Sequence, residues 1–189
     1  MEQNEALARV RKDPDDTLDG IRKTLQVAEA TEREIPYGKL VDIKLAVRSL
    51  PVSAADYWKT VAEIINYESF LNQTRNHAPN PAKVSKPCLS YTNGNGSDVS
   101  IRNNSLVGGT LLNCVVDLDT HSYENVVFQD SVVRYHGGPV SLRNVLFLNC
   151  AFRVEIAADA PPVSPERDKL LLALIEPIDQ RRVRVSNQN

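Results

Sequence analysis

The sequence predicts an α+β fold: a helical N-terminal region, a run of short stacked parallel strands, and a helix closing the C-terminal end. Three observations predict it. Apolar residues recur at helical spacing through the first third of the chain. A phrase of the form apolar–any–Asn/Asp–small polar–any–apolar then occurs four times: IRNNSL from Ile101, LLNCVV from Leu111, FQDSVV from Phe128 and FLNCAF from Phe147. After the last copy, SPERDKLLLALIEP carries a helix start and a helix stop. The expected division is a helical region over 1–74, a Pro/Asn/Gly-rich connection over 75–98, strand rungs over 99–156, and a capping helix with a terminal strand over 157–189.

The first helix is announced by Asp13-Pro14-Asp15-Asp16. Asp13 can accept from the orphan N–H groups of a first turn, and Pro14 lacks the donor that would go unpaired there. Leu18, Ile21, Leu25 and Ala28 share one face, and the run ends at Pro36. A second helix is expected over Leu40–Val47. The third has Ser53 and Asp56 in capping-box spacing, and a broad stripe of Tyr57, Trp58, Val61, Ile64, Ile65 and Leu71. That stripe is core. Composition then shifts to NHAPNPAKVSKP and TNGNGSD, which is turn chemistry, with one early strand expected around Cys88–Tyr91.

The four phrases start 10, 17 and 19 residues apart. Alternation of period two, the Val and Phe content and a Gly-Gly-Pro break exclude a helical repeat. Parallel strands need long connections, and 17 to 19 residues suffice for one full circuit of a solenoid whose circuits stack about 4.8 Å apart. Aligning circuits gives inward columns: Cys114, Ser131, Cys150; Val116, Val133, Phe152; Leu118, Tyr135, Val154; Val126 with Val145; and Phe128 with Phe147. Asn113, Asp130 and Asn149 form a polar column suited to corners, since Asn and Asp tolerate left-handed backbone and bond along the stack. In YHGGPV, Gly137 and Gly138 are expected to supply positive φ at a bend, with Pro139 opening the next strand.

The stretch NCVVDLD…NVVFQDSVVRYHGGPVSLRNVLFLNCAF resembles the short right-handed parallel β-helix segments of small, uncharacterised bacterial proteins. The resemblance covers about Val99 to Ile156 and implies a fold, not an activity. It departs from pentapeptide-repeat proteins in register and from polysaccharide-lyase β-helices in length. Ser164 and Pro165 open the closing helix, whose apolar face is Leu170, Leu171, Leu174 and Ile175. RRVRV is expected as a final strand with Val183 and Val185 inward and the arginines outward, and the N-terminal helices flank the other end or one side.

Composition narrows function. In 189 residues, 22 Lys and Arg stand against 24 Asp and Glu, a formal charge of −2, so nothing suggests nucleic-acid capture. No apolar run approaches a membrane span, and the N-terminus lacks the apolar core of a secretory signal. The three cysteines show no metal-type spacing, and the odd set fits a reducing cytoplasm. Cys114 and Cys150 lie two circuits apart, about 9.6 Å, too far for a bridge. They read as inward thiols acting as small hydrophobes.

The site candidates are few. Asp117, Asp119 and His121 form a D-x-D-x-H series that would share one face of a strand, a spacing compatible with a divalent cation or acid–base work. The blander reading is a polar outer face ending in a turn. His77 falls in the Pro-rich connection and His136 at a corner. No catalytic, cofactor or metal site is assigned. The expected function is a non-catalytic protein-interaction or scaffold module, in the cytoplasm, with a protein partner or a second copy. The alternatives are a carbohydrate-binding or carbohydrate-active protein using outward Asp117, Asp119, Asp130 or His121, and a structural protein assembling end to end.

Overall fold

A computed structural model of the chain describes residues 14–76, 78–88, 100–102, 104–156, 165–176 and 182–185. Helix α1 spans Pro14–Ala30, with Asp15 and Asp16 in its first turn and Leu18, Leu25 and Ala28 buried. Asp13, His77 and Ser164, each given a role or place above, lie outside the described residues. Helix α1 stops six residues before Pro36, where the chain leaves through a turn with Glu32 at φ 51°. Helix α2, Tyr37–Arg48, begins three residues earlier than expected, directly after the extended Pro36.

Helix α3 spans Tyr57–Asn76. The Ser53 capping box does not form: residues 52–56 are turn and bend, and the helix starts only at Tyr57. Tertiary electrostatics claim the local signal. The Asp56 carboxylate, at the helix threshold, takes Arg22 of α1 at 2.6 Å and Lys59 at 3.1 Å. The expected stripe is buried throughout, with Ile64 and Ile65 fully enclosed. Tyr67 pins the α1–α2 connection to α3, accepting from the Ile35 N–H at 2.7 Å and donating to the Arg33 carbonyl at 3.2 Å. Lys44 of α2 and Glu68 of α3 form an ion pair at 2.7 Å.

Among the described residues eleven short strands follow: β1 Ser100–Arg102, β2 Ser105–Val107, β3 Thr110–Leu112, β4 Val115–Asp117, β5 His121–Glu124, β6 Val127–Gln129, β7 Val132–Tyr135, β8 Val140–Arg143, β9 Val145–Leu148, β10 Ala151–Val154 and β11 Arg182–Val185. They form a first sheet ordered β1-β2-β5-β8, a second ordered β11-β9-β6-β3 and a third ordered β10-β7-β4. From β2 to β10 the chain visits first, second and third sheet in turn, three times over, and successive visits pair in parallel. Register follows the repeat: Leu111 faces Phe128, which faces Phe147, and Val116 faces Val133, which faces Phe152. The Phe128 and Phe147 rings stack at 5.4 Å, and Tyr123 and Phe152 meet them edge-on. Such ring pairs add roughly 0.5–1.5 kcal/mol each beyond the area they bury.

The first of the four phrases is not a rung. β1 and β2 pair antiparallel, Ile101 facing Leu106, so IRNNSL is a tight ribbon. Its ten-residue offset from the next copy is too short for a circuit. At the corners, Asn113, Asp130 and Asn149 hold φ of 51°, 48° and 49°, and Asn125 and Asn144 hold 55° and 51°. Both columns bond along the stack, Asn149 Nδ2 donating to Asp130 Oδ1 at 2.7 Å and Asn144 Nδ2 to Asn125 Oδ1 at 2.8 Å.

Strand edges are closed by unlike devices. At the last circuit, α3 lies along β10: Asn66 donates to the Val154 carbonyl at 2.9 Å and accepts its N–H at 2.8 Å, while Ser69 Oγ accepts the Phe152 N–H at 2.7 Å. A side-chain amide thereby stands in for the next strand. β11 covers β9 antiparallel, with Val183 and Val185 buried and both arginines exposed. Helix α4, Pro165–Ile175, packs against β8, β11 and α3, burying Leu170, Leu171, Leu174 and Ile175. The N-terminal helices therefore share the closing of one end with the tail, rather than taking the other.

At the first circuit, β1 covers β2, and residues 86–88 cover β4. The Val115 N–H donates to the Lys86 carbonyl at 2.7 Å and the Cys88 N–H to the Val115 carbonyl at 2.8 Å. Pro87 between them has no donor to offer a further strand. Of the strand expected over Cys88–Tyr91, only this bridge falls within the described residues. Val84 packs on Val115, Val132 and Ala151.

Cys88 and Cys114 form a disulfide, their Cα atoms 4.8 Å apart. This corrects the reading of three thiols: Cys114 and Cys150 are indeed separate, but the strap over β4 brings in a partner from 26 residues upstream. Cys150 stays a buried thiol.

Two outcomes are expected. Asn66→Ala strips partners from the buried Val154 N–H and C=O and lowers unfolding free energy by about 2–4 kcal/mol, read from urea midpoints. Under non-reducing conditions a thiol reagent titrates no cysteine in the native protein and only Cys150 after unfolding, and Cys88→Ser costs about 3 kcal/mol.

Candidate functional site

Asp117, Asp119 and His121 do not share a strand face. β4 ends at Asp117, Leu118 turns inward and is buried, Thr120 takes φ 63°, and His121 opens β5 in a different sheet. A three-residue strand is too short to carry a five-residue alternation. Asp117 faces Arg134 across the ladder, and its carbonyl accepts from the Tyr123 hydroxyl at 3.2 Å. The His121 ring lies on Tyr123 and bonds through Nδ1 to the Asp119 carbonyl at 2.6 Å.

The Asp119 carboxylate turns instead to the next circuit. Oδ2 accepts the His136 N–H at 2.9 Å and lies 3.0 Å from His136 Nδ1, and Oδ1 accepts the Gly138 N–H at 2.6 Å. Gly137 carries the positive φ of 91°, whereas Gly138 does not. Gly138 is needed for a different reason: a Cβ there would sit 2.8 Å from Asp119 Oδ1. The Asp119–His136 pair was legible in the repeat. Both residues follow the Leu118–Tyr135 column by one position, so aligning circuits sets them side by side.

His136 also rims a cleft of about 360 Å³ between α1, α3 and the end of β10, lined by Arg22, Lys59, Glu63, Asn66 and Glu155 among others. An imidazole held by a carboxylate through Nδ1 is the arrangement of a general base, but such a base acts on a nucleophile or substrate proton within reach. The residues lining the cleft include no hydroxyl or thiol. Several of its groups are already engaged: Asp56 holds Arg22 and Lys59, Glu63 accepts from Gln26 at 3.0 Å, and the Asn66 amide serves β10. Asp56 is held below the usual carboxylate range by the Lys59 hydrogen bond and the nearby Arg22 charge.

Other reactive groups are spent on structure. Burial pushes the Cys150 thiol up to about 12, which leaves no thiolate at neutral pH. Burial, with a nearby carboxylate adding to it, pushes the Tyr123 and Tyr135 phenols up, so they serve as donors. Asp130 accepts from Asn149 and from Gln129, the latter at 3.2 Å. Among the described residues no group of three or more His, Cys, Asp or Glu is placed to hold a metal ion.

The outer faces differ more than the corners do. The first sheet presents Ser105, Ser122 and Ser141 in register, with Glu124 and Arg143 3.5 Å apart. On the third, Val84 packs over the Val115–Val132–Ala151 column, while Asp117, Arg134 and Arg153 form a second, charged column. The second presents two outward columns, Thr110–Val127–Leu146–Arg184 and Leu112–Gln129–Leu148–Arg182. Leu112 is 46% exposed, and among the described residues no hydrophobic cluster forms over this face. Its apolar strip joins exposed Leu112 to half-buried Val127, Leu146 and Leu148, with two exposed arginines on its β11 border. Sequence reading placed the arginines outward but did not assemble the face, because β11 reaches it from about 35 residues away.

No protein-family model matches the chain, and no curated protein or solved structure is significantly similar to it.

Gly138→Ala is expected to lose about 1–3 kcal/mol through overpacking on Asp119. Combining it with Asp119→Ala should recover part of that loss. Additive denaturation midpoints would contradict the contact, since touching residues couple.

Proposed function

We propose that the three circuits make a short right-handed parallel β-helix and that the protein is a non-catalytic interaction module, docking a partner protein on the outer face of its second sheet. The outward apolar strip of exposed Leu112 and half-buried Val127, Leu146 and Leu148 carries the reading. A contiguous exposed apolar patch on a well-packed frame is characteristic of protein contact surfaces. The right hand is supported by the parallel crossover rule, which holds for nearly all connections of this kind.

The rival readings have less behind them. A carbohydrate site using Asp117, Asp119, Asp130 and His121 lacks convergence, since Asp119 and Asp130 are bonded at two different corners and His121 points to its own chain. End-to-end assembly is opposed by β11, the Asn66 and Ser69 contacts, and the Pro87 strap. The cytoplasmic setting expected from the cysteine count loses its main support, because bridges such as Cys88–Cys114 persist in oxidising compartments.

A photo-crosslinking side chain at Leu112 is expected to capture a discrete partner from the native host, whereas the same group at Ser122 on the first sheet captures none. Leu146→Glu should abolish the capture while changing stability by less than about 1 kcal/mol, as surface substitutions do. Equal labelling from both faces, or none from Leu112, would overturn the reading.

A further inference from the structure

The second-sheet face also states what kind of partner it fits. Arg182 and Arg184 stand directly opposite Leu148 and Leu146 on the antiparallel β11–β9 ladder, and both are exposed. Two residues apart on one strand, their Cα atoms are about 7 Å apart. Several other arginines meet a carboxylate of this chain: Arg22 with Asp56, Arg48 with Glu176, Arg75 with Glu34 and Arg143 with Glu124. Among the described residues no such ion pair forms at Arg182 or Arg184. Among the described residues the face offers Thr110 and Gln129 as its only other polar side chains.

Dimensions follow from the strand spacing. From β3 to β9 the apolar strip runs two steps, about 10 Å along the stack, and β11 adds one more. A helix lying parallel to the strands is about 10 Å across, enough to cover that strip, and seven of its residues run about 10 Å, the length of a four-residue strand. Carboxylates four apart on a helix lie about 6 Å from each other, close to the spacing of the two arginines. Each guanidinium fork can take a carboxylate through two parallel hydrogen bonds, which a lysine could not.

Resting on the interaction reading above, we infer that the partner is an amphipathic helix with an acidic flank, lying parallel to the strands. Its apolar stripe lies over Leu112, Val127, Leu146 and Leu148, and a pair of carboxylates one turn apart meets Arg182 and Arg184. The apolar strip supplies contact area, and the arginines select which flank of the helix faces β11 and reject basic partners.

Three fluorescent synthetic helices sharing one leucine stripe test this: beside the stripe one carries a Glu pair four residues apart, one a Gln pair, one a Lys pair. Anisotropy against the whole protein is expected to rank them Glu, Gln, Lys, with at least a tenfold gap between the first and last. Raising salt from 0.05 to about 0.5 M should close the gap by screening. R182Q/R184Q should close it equally at an unchanged thermal midpoint, and the salt series on the unaltered protein decides the same point if that variant misfolds. Equal binding of all three helices, lost in Leu146→Glu, would overturn the charge inference and leave the docking face standing. Failure of every helix to bind would overturn both. Arginine-dependent sedimentation with phosphatidylglycerol vesicles, without preference for the Glu helix, would assign the face to a lipid surface instead.

Discussion

Backbone groups at the edge of a stack of strands need partners, and meeting that need governs this molecule. Each circuit is hydrogen-bonded by the next, so the interior supports itself, but the first and last circuits cannot do the same. At the last, α3 meets β10 with Asn66 and Ser69, which read the edge of β10 much as another strand would. That contact joins helices and strands into one core, in which Ile64 and Ile65 belong to the same cluster as Phe128, Phe147 and Phe152. Without it the helices would have no fixed seat and the final edge would be open to other chains.

The corners meet a second demand. A chain returning to the same sheet after 17 or 19 residues must bend sharply three times per circuit, and the bends fall where a residue can hold positive φ. Asn and Asp do this at moderate cost and use their side chains to tie one circuit to the next. The Asp119 corner adds close approach, with a carboxylate on backbone N–H groups of the following circuit and glycine leaving it room. Polar residues that resemble a site in the sequence are thereby committed to shape.

With corners and edges spoken for, the outer faces carry what remains. One is serine-rich, one is partly covered beside the strap that the Cys88–Cys114 bridge secures and is otherwise charged, and one is apolar beside two arginines. A rigid frame suits a docking surface, since little order is left to be paid on binding. The asymmetry among three otherwise equivalent faces is what gives the interaction reading its direction.

Much of this was determined locally and therefore legible in the residues. Period-two alternation set the inward columns, the Asn/Asp column set corners, and helical spacing set the buried stripe of α3. Those signals depend on neighbours in the chain or on one repeat period. What depended on distant segments was not legible. The β1–β2 ribbon took a phrase that looked like a rung, Arg22 drew Asp56 away from a simple cap, and the strap at Pro87 delivered Cys88 to Cys114. The pairing of the Asp119 side chain with His136 was by contrast open to reading from the repeat, because stacking sets the two residues after the Leu118–Tyr135 column side by side, while His121 bonds to the Asp119 backbone carbonyl. The sequence alone determined a repeating strand unit and which side of it faces inward. Only tertiary structure decided how its edges close and which face stays open, since both depend on segments far apart in the chain meeting through backbone groups that no side-chain pattern encodes.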